Sequence, residues 1–494
     1  MPSRALLLAI MLAMTHTFLW LDYETFGTHP RTDRPAQFAA IRTDADLREI
    51  GEPINILCQP APDYLPDPGS CLITGITPQQ CLAQGVPEWE FAQRIHDALA
   101  EPGTIGVGYN TIRFDDEFTR FLFWRNLIDP YAREWQNGCG RWDLLDVVRM
   151  TYALRPQGIE WPVNDQGATS FRLEHLTRAN GLSHEAAHDA LSDVRATIAL
   201  ARLLREHQPR LFDFALELRQ KQRVAAELGL PTRPDQARPF LHVSGMFPAS
   251  QGCLAIMWPL ASHPTNKNEI LAWDLRHDPE ILTRLSPSDI RERMFTPTQD
   301  LPAGIARLPI KGIHLNKSPM VVRNLRTLSP EQAARWQIDL DAHLRHAEAA
   351  RSLPDMSSIW ARVYERPAPS GPVDVDADLY GGFIGADDRR RLDHLRTLRP
   401  EALASARTGF DDERLDELVW RYRARNFPQT LDEADQERWQ QHCAARLLDG
   451  EGEARTLDML LAELDTLQEH HTDARSASIL AAVHDYAEHI VPME

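Results

Sequence analysis

Two carboxylates stand two residues apart in the segment FLWLDYETF (18–26): Asp22 and Glu24. Residues i and i+2 of an extended strand share a face, so both acids point the same way. Their neighbours Leu19, Trp20, Leu21 and Phe26 are apolar, and two acids in such a setting are costly without a compensating cation. A bare Asp-x-Glu also describes an exposed edge-strand pair. Another acid follows the end of a second apolar strand, in GYNTIRFDD (108–116). Either Asp115 or Asp116 fits a helix start, where a carboxylate is favourable on local grounds alone. The third element is His188-x4-Asp193. Mid-helix, five residues turn a side chain by about 140°, so the pair reads as a loop histidine followed by an acid one turn into a helix. A histidine near a helix start is also a common structural feature. Together the elements supply four carboxylates, the donor type of hard divalent ions such as Mg²⁺ and Mn²⁺. The histidine adds a group able to take a proton from water.

The elements that must position these residues alternate in period. Strands are expected at 18–26, 37–43, 53–60 and 104–110, with helices at 87–100, 115–126, 143–153, 173–180 and 189–206. That order describes a mixed sheet flanked by helices. From 209 to 357 the pattern shifts to short strands at 241–247, 253–261, 269–275 and 310–315, interrupted by helices near 278–294 and 330–351, as in a small barrel with insertions. The segment ERPAPSGPVDVD (365–376) has the proline content of a linker, and 377–494 is helical throughout. The domain reading is an extension at 1–17, an α/β domain at 18–208, a β-barrel domain at 209–357, a linker at 358–376 and an all-α domain at 377–494.

The chain has 494 residues and a formal net charge of −18, which on its own argues against a polyanion ligand. The charge is unevenly spread: 1–208 carries −9, 209–357 carries +3 and 358–494 carries −12. Residues 236–268 and 301–330 contain no Asp or Glu, and a local basic strip can hold a polyanion whatever the total charge. The six cysteines form no CxxC pair, which excludes a disulfide scaffold and fits a reducing, cytoplasmic setting. The run Ala5–Met14 after Arg4 imitates a signal peptide. It lacks a small-x-small cleavage site and a spacer before the first strand, so residues 1–13 are expected to be a dispensable extension. No apolar run is long enough to span a membrane.

The order and spacing of the acids and the histidine resemble the DEDD exonucleases of the ribonuclease H-like fold, in the DEDDh branch. The segments LDYETFGTHPRTDRPAQFAAIRTD, CLITGITPQ, GYNTIRFDDE, RWDLLDV, YALRPQGI and SFRLEHLTRANG are similar to the bacterial exodeoxyribonuclease I family, as are HVSGMF, IHLNKSP and YRARNFPQTLDEADQERW further along. The likeness covers nearly all of residues 18–490.

The resemblance implies a fold and a chemistry. The fold is an α/β ribonuclease H-like exonuclease domain, a small SH3-like β-barrel with helical insertions, and an all-α C-terminal domain. The activity is 3′-to-5′ hydrolysis of single-stranded DNA to 5′-mononucleotides with two Mg²⁺ ions, Mn²⁺ substituting, in DNA repair and recombination. Asp22, Glu24 and Asp193 are the implied metal ligands, Asp115 (directly after Phe114) serves a second ion, and His188 is the general base. Arg172 matches a phosphate contact; Arg120, Tyr131, Trp135 and Arg149 match positions along the strand, where guanidinium groups suit phosphates and rings suit bases. Tyr131 and Trp135 also fit a reading as core aromatics. The resemblance implies a partnership with the single-stranded DNA-binding protein, and the expected state is a monomer with no membrane association. A DEDDh nuclease acting on RNA or proofreading a polymerase is the nearest alternative; a catalytically silent strand binder is the more distant one.

Lysine adds one reading. There are four, Lys221, Lys267, Lys311 and Lys317, all within 209–357, and a flexible ammonium is not interchangeable with a guanidinium at a phosphate. Lys221, Lys311, Lys317 and Asn268 are expected on this reading to hold the strand beyond the active site; chance retention of lysine in an arginine-rich chain is the alternative.

Overall fold

The computed structural model describes residues 16–183, 189–231, 236–365, 371, 373–406 and 409–491. His188 and the apolar run 5–14 lie outside the described residues, as do 366–370 and 372 of the expected linker. The chain divides into two compact units. One comprises Met1–Gly140, His184–Ile198 and Gly371–Glu494; the other comprises Arg141–Ser183 and Ala199–Ser370.

In the first unit the strands are β1 (Thr17–Thr25), β2 (Pro35–Thr43), β3 (Ile54–Leu57) and β4 (Thr104–Gly108), and within the unit they run in the order β3-β2-β1-β4. β1 is antiparallel to β2, from Phe18 opposite Thr43 to Glu24 opposite Gln37. It is parallel to β4 from Thr17 opposite Thr104 to Trp20 opposite Val107. β1 therefore outruns β4, and among the described residues its second half has no strand on that side. Leu19, Leu21 and Phe38 pack against Phe91 and Ile95 of the helix Glu88–Ala100 and Leu122 and Phe123 of the helix Asp115–Arg125.

The C-terminal helices belong to this same unit. Phe26, Ala36 and Leu65 share a core with Leu447, Leu460, Leu480 and Val483; Phe121 and Trp124 share another with Leu392, Leu415 and Leu418. Buried charges tie the layers further. Asp63, fully buried, takes Arg425 at 2.7 Å, while Arg421 pairs with Asp374 at 2.8 Å and Asp376 at 3.3 Å. The stretch 358–376, expected as a linker, thus includes residues with structural work: Val375 and Asp376 are buried in the turn Val375–Ala377, and the helix Ser357–Val363 buries Trp360. Proline content concealed this, because a proline marks chain direction and not exposure.

In the second unit, which takes up the chain at Arg141 in β5 (Gly140–Asp143), that strand leads into the helix Leu144–Leu154, capped by Asp143 accepting from the Leu145 N–H at 3.0 Å. The sheet that follows consists of β6 (Phe240–Val243), β7 (Leu254–Ser262), β8 (Glu269–Asp274), β9 (Ile310–His314) and β10 (Met320–Val322) in the order β10-β6-β7-β8-β9, every neighbouring pair antiparallel. The helix expected at 278–294 is divided into a 3-10 turn, Pro279–Arg284, and a helix, Pro287–Phe295. Pro287 has no N–H to continue the first segment, and Ser286 with Asp289 forms a capping box for the second. The expected 330–351 helix divides likewise at Gln337, where φ is 58°.

Candidate functional site

The end of β4 prepares the site. Gly108 lies against β1 so closely that a Cβ there would meet the Leu21 carbonyl oxygen at 2.8 Å. Asn110 follows with φ 70°, then a 3-10 turn, Thr111–Arg113, before the helix that opens on Asp115. Because β1 outruns β4, the Tyr23 N–H has no strand partner on that side, and Asp115 Oδ1 accepts it at 3.2 Å. Asp115 is buried, 3% exposed. Its neighbour Asp116 turns away into a buried ion pair with Arg133 at 2.6 Å. Of the two aspartates, between which the residues alone did not choose, Asp115 is the one that bonds to β1 and Asp116 the one paired with Arg133.

Asp22 and Glu24 come from β1, as the period of two requires. Asp193 comes from the first turn of the helix Ala190–His207. One carboxylate oxygen of each of these three lies within 4.8 Å of the others. Burial, then Asp115, Glu24, Asp193 and Asp189, push the Asp22 carboxyl well above its ordinary value. Burial, then Asp193, Asp115 and Asp189, push Glu24 up to about 8. Three converging carboxylates form an oxygen-only donor set, the kind that suits Mg²⁺ or Mn²⁺. The residues fit a divalent ion. A histidine base at position 188 falls outside the described residues. Asp189, which the sequence reading passed over, adds a further charge and caps the same helix, accepting from the Ser192 N–H at 3.1 Å. Its signal was its place at a helix start directly before Asp193's turn.

The expected strand contacts of this unit behave differently from one another. Trp135 is 65% exposed and is no core residue. Tyr131 is half-buried, with its ring 6.0 Å from that of Phe383, which is 91% exposed. Phe383 also escaped the sequence reading; an aromatic set among glycines in LYGGFIG was the available signal. Arg120 is turned inward. Its Nε and Nη2 donate to Glu134 at 2.8 and 3.0 Å, and its Nη1 donates to Glu117 at 2.8 Å.

In the second unit Arg172 is exposed, with Glu174 at 3.6 Å. Arg149 donates to Asp146 at 2.7 Å and lies against Gly245. Lys221 Nζ donates to Asn268 Oδ1 at 2.5 Å, so these two expected contacts are neighbours. Lys311 Nζ donates to Ser244 Oγ at 3.0 Å and sits over the Phe247 ring. Lys317 is half-buried after β9.

Comparison with known proteins sets this geometry in context. Residues 19–201 match the family model described as Exonuclease, 219–366 the Exonuclease I SH3-like domain and 373–490 the Exonuclease I C-terminal domain. The chain is 46% identical over 478 residues to Exodeoxyribonuclease I of Escherichia coli K12, covering 96% of this chain and 98% of that one. Among solved structures it is similar to a moderately thermophilic Exonuclease I from Methylocaldum szegediense (TM-score 0.91, 46% identity, 97% and 100% of the two chains). It is also similar to a zinc-bound E. coli ExoI–ssDNA complex (0.90, 44%, 97% and 100%), and to SSB/Exonuclease I in complex with the inhibitor CFAM (0.88, 43%, 97% and 100%).

Proposed function

The chain belongs to the exodeoxyribonuclease I family and is an exodeoxyribonuclease; from that premise we propose that it removes 5′-mononucleotides from the 3′ end of single-stranded DNA, using two divalent ions. The observation that carries the reading is the convergence of Asp22, Glu24 and Asp193 within 4.8 Å. Those three carboxylates would hold one ion, and Asp115, fixed by the Tyr23 N–H, would serve the second. Bound there, Mg²⁺ would polarise the scissile phosphate and stabilise the charge that develops on it.

The protein's own groups account for the rest. His188 takes the proton from the attacking water, and Arg172 meets a phosphate of the strand. Trp135, and Tyr131 with Phe383, offer faces for bases, which stack without regard to sequence. Lys221 with Asn268, and Lys311, hold phosphates further along. Zinc and single-stranded DNA in the related complex support the metal and the substrate class.

The SSB/Exonuclease I structure supports a partnership with the single-stranded DNA-binding protein. A cleft of about 450 Å³ in the second unit, with Leu325, Leu328 and Leu344 beside Arg326, has the apolar wall and the cation that an acidic tail needs. A monomer acting in the cytoplasm, in repair and recombination, completes the proposal. No described helix is long and apolar enough to cross a membrane.

The deciding experiment is mononucleotide release from end-labelled single-stranded DNA with Mg²⁺, beside RNA and duplex DNA, with and without chelator. Equal release from RNA, or release that survives chelation, would refute the reading.

A further inference from the structure

β9 presents two faces. Lys311 points to the Ser244 side, so Ile310, Gly312 and His314 point to the other, where they line an open cleft of about 820 Å³. Its far wall is aromatic. Tyr364 packs its ring 4.2 Å from His263 and 5.3 Å from Phe295, and Phe295 is 49% exposed. His263 Nδ1 accepts the backbone N–H groups of Thr265 at 3.2 Å and Asn266 at 3.0 Å. Those two bonds fix the orientation of the ring.

Charge distinguishes the rims. Exposed Arg307 lines the cleft from within the acid-free stretch 301–330, and among the described residues it has no carboxylate partner. Glu269 is already engaged: it accepts from Asn266 Nδ2 at 3.0 Å and lies flat over Gly312, whose missing Cβ makes the room. Glu365 stands at the edge, so the cleft does not favour an anion alone. It suits a ligand with a flat ring first and a phosphate second.

We propose that this cleft is a nucleotide subsite for single-stranded DNA upstream of the hydrolysed end, a base stacking on the Phe295–Tyr364–His263 wall and its phosphate meeting Arg307. The proposal rests on the strand path given above. The loop 263–268 that forms one rim also carries Lys267 and Asn268, and Asn268 is bonded to Lys221. A strand held at Lys221 and Asn268 therefore reaches the cleft along one continuous loop.

The test measures binding of oligo(dT), 6 to 30 nucleotides long, by fluorescence anisotropy in chelator, so that no strand is cut. Phe295→Ala/Tyr364→Ala should weaken binding by about 5- to 150-fold, the range for one stacked base, only above a threshold length. An abasic nucleotide at the sensitive position should weaken the unsubstituted protein and add nothing in the double variant. Because Tyr364 is half-buried, melting temperature is checked, and Phe295→Ala alone and Arg307→Gln serve as variants at exposed side chains. Arg307→Gln should lower the log–log salt slope by about one. Unchanged affinity at every length, or an equal loss at every length, overturns the proposal. Lys221→Ala separates the two levels. If it weakens long strands and the double variant does not, the cleft alone is refuted; if neither does, the strand path fails with it.

Discussion

Asp116 and Arg133 form a buried ion pair, Oδ1 to Nη2 at 2.6 Å, with both side chains almost wholly excluded from water. Asp115, one residue earlier, instead takes the Tyr23 N–H and faces the acids of β1. Adjacent residues of the same type therefore lie in opposite surroundings, and substitution separates them. Asp115→Asn should lower turnover by at least about 10²-fold with a near-normal melting temperature. Asp116→Asn should lose about 3–5 kcal/mol of stability by stranding the Arg133 charge, with activity surviving in the folded fraction. Steady-state rates beside thermal melts decide it; the reverse pattern refutes the assignment.

Removal of one ligand should act on chemistry and spare binding. Asp22→Asn should abolish cleavage in Mg²⁺ while anisotropy still reports strand binding. His188→Ala should be slower by roughly 10²–10⁴-fold, the scale of a lost general base. Normal degradation by Asp22→Asn would show that the ions lie elsewhere.

Metal should stabilise the protein more at high pH. Glu24 is pushed up to about 8 by burial and then by Asp193, Asp115 and Asp189, above the roughly 4.3 of an unfolded chain. The folded protein thus binds more protons between those values, and the metal-free form loses stability as pH rises through them. A divalent ion replaces the proton. Scanning fluorimetry should show a larger rise in melting temperature from Mg²⁺ at pH 8 than at pH 6; equal shifts would mean that Glu24 is not at the ion site.

The C-terminal helices should be inseparable from the strand layer. Burial works to raise the Asp63 carboxyl, but Arg425, His442 and Arg446 outweigh it and hold it well below the carboxylate range; Arg425 does the same for Asp376. These groups contribute stability above their unfolded values near pH 4, and it is lost as pH falls through the depressed folded ones. Arg425→Met should cost about 3–5 kcal/mol by leaving two buried carboxylates short of their cation. Urea titration at pH 7 measures it, and a loss under 1 kcal/mol would remove the network from the account.

Arg120 is silenced by its neighbours. Glu134 takes two of its N–H groups, so Glu134→Gln should weaken that hold and let the guanidinium reach a phosphate. Strand affinity should then rise at low salt, and the salt slope should steepen by up to about one. An unchanged slope would make Arg120 a purely internal residue.

What the sequence determined by itself was local. The two-residue period of Asp22 and Glu24, the helix start at Asp115 and the helix turn carrying Asp193 depend on backbone geometry over a few residues, and such geometry is written in neighbouring side chains. The positions of β1, β2 and β4 followed from apolar runs for the same reason. The tertiary structure alone decided matters that turn on residues distant in the chain. Asp115 rather than Asp116 faces β1 because Arg133, 17 residues on, captures the latter. Arg120 points inward because Glu134 reaches it, and Phe383 stands beside Tyr131 although some 250 residues intervene. The C-terminal helices share a core with Phe26 and Phe121, which no periodicity announces. A helix's apolar face shows that it must be covered, and only the folded chain supplies the surface that covers it.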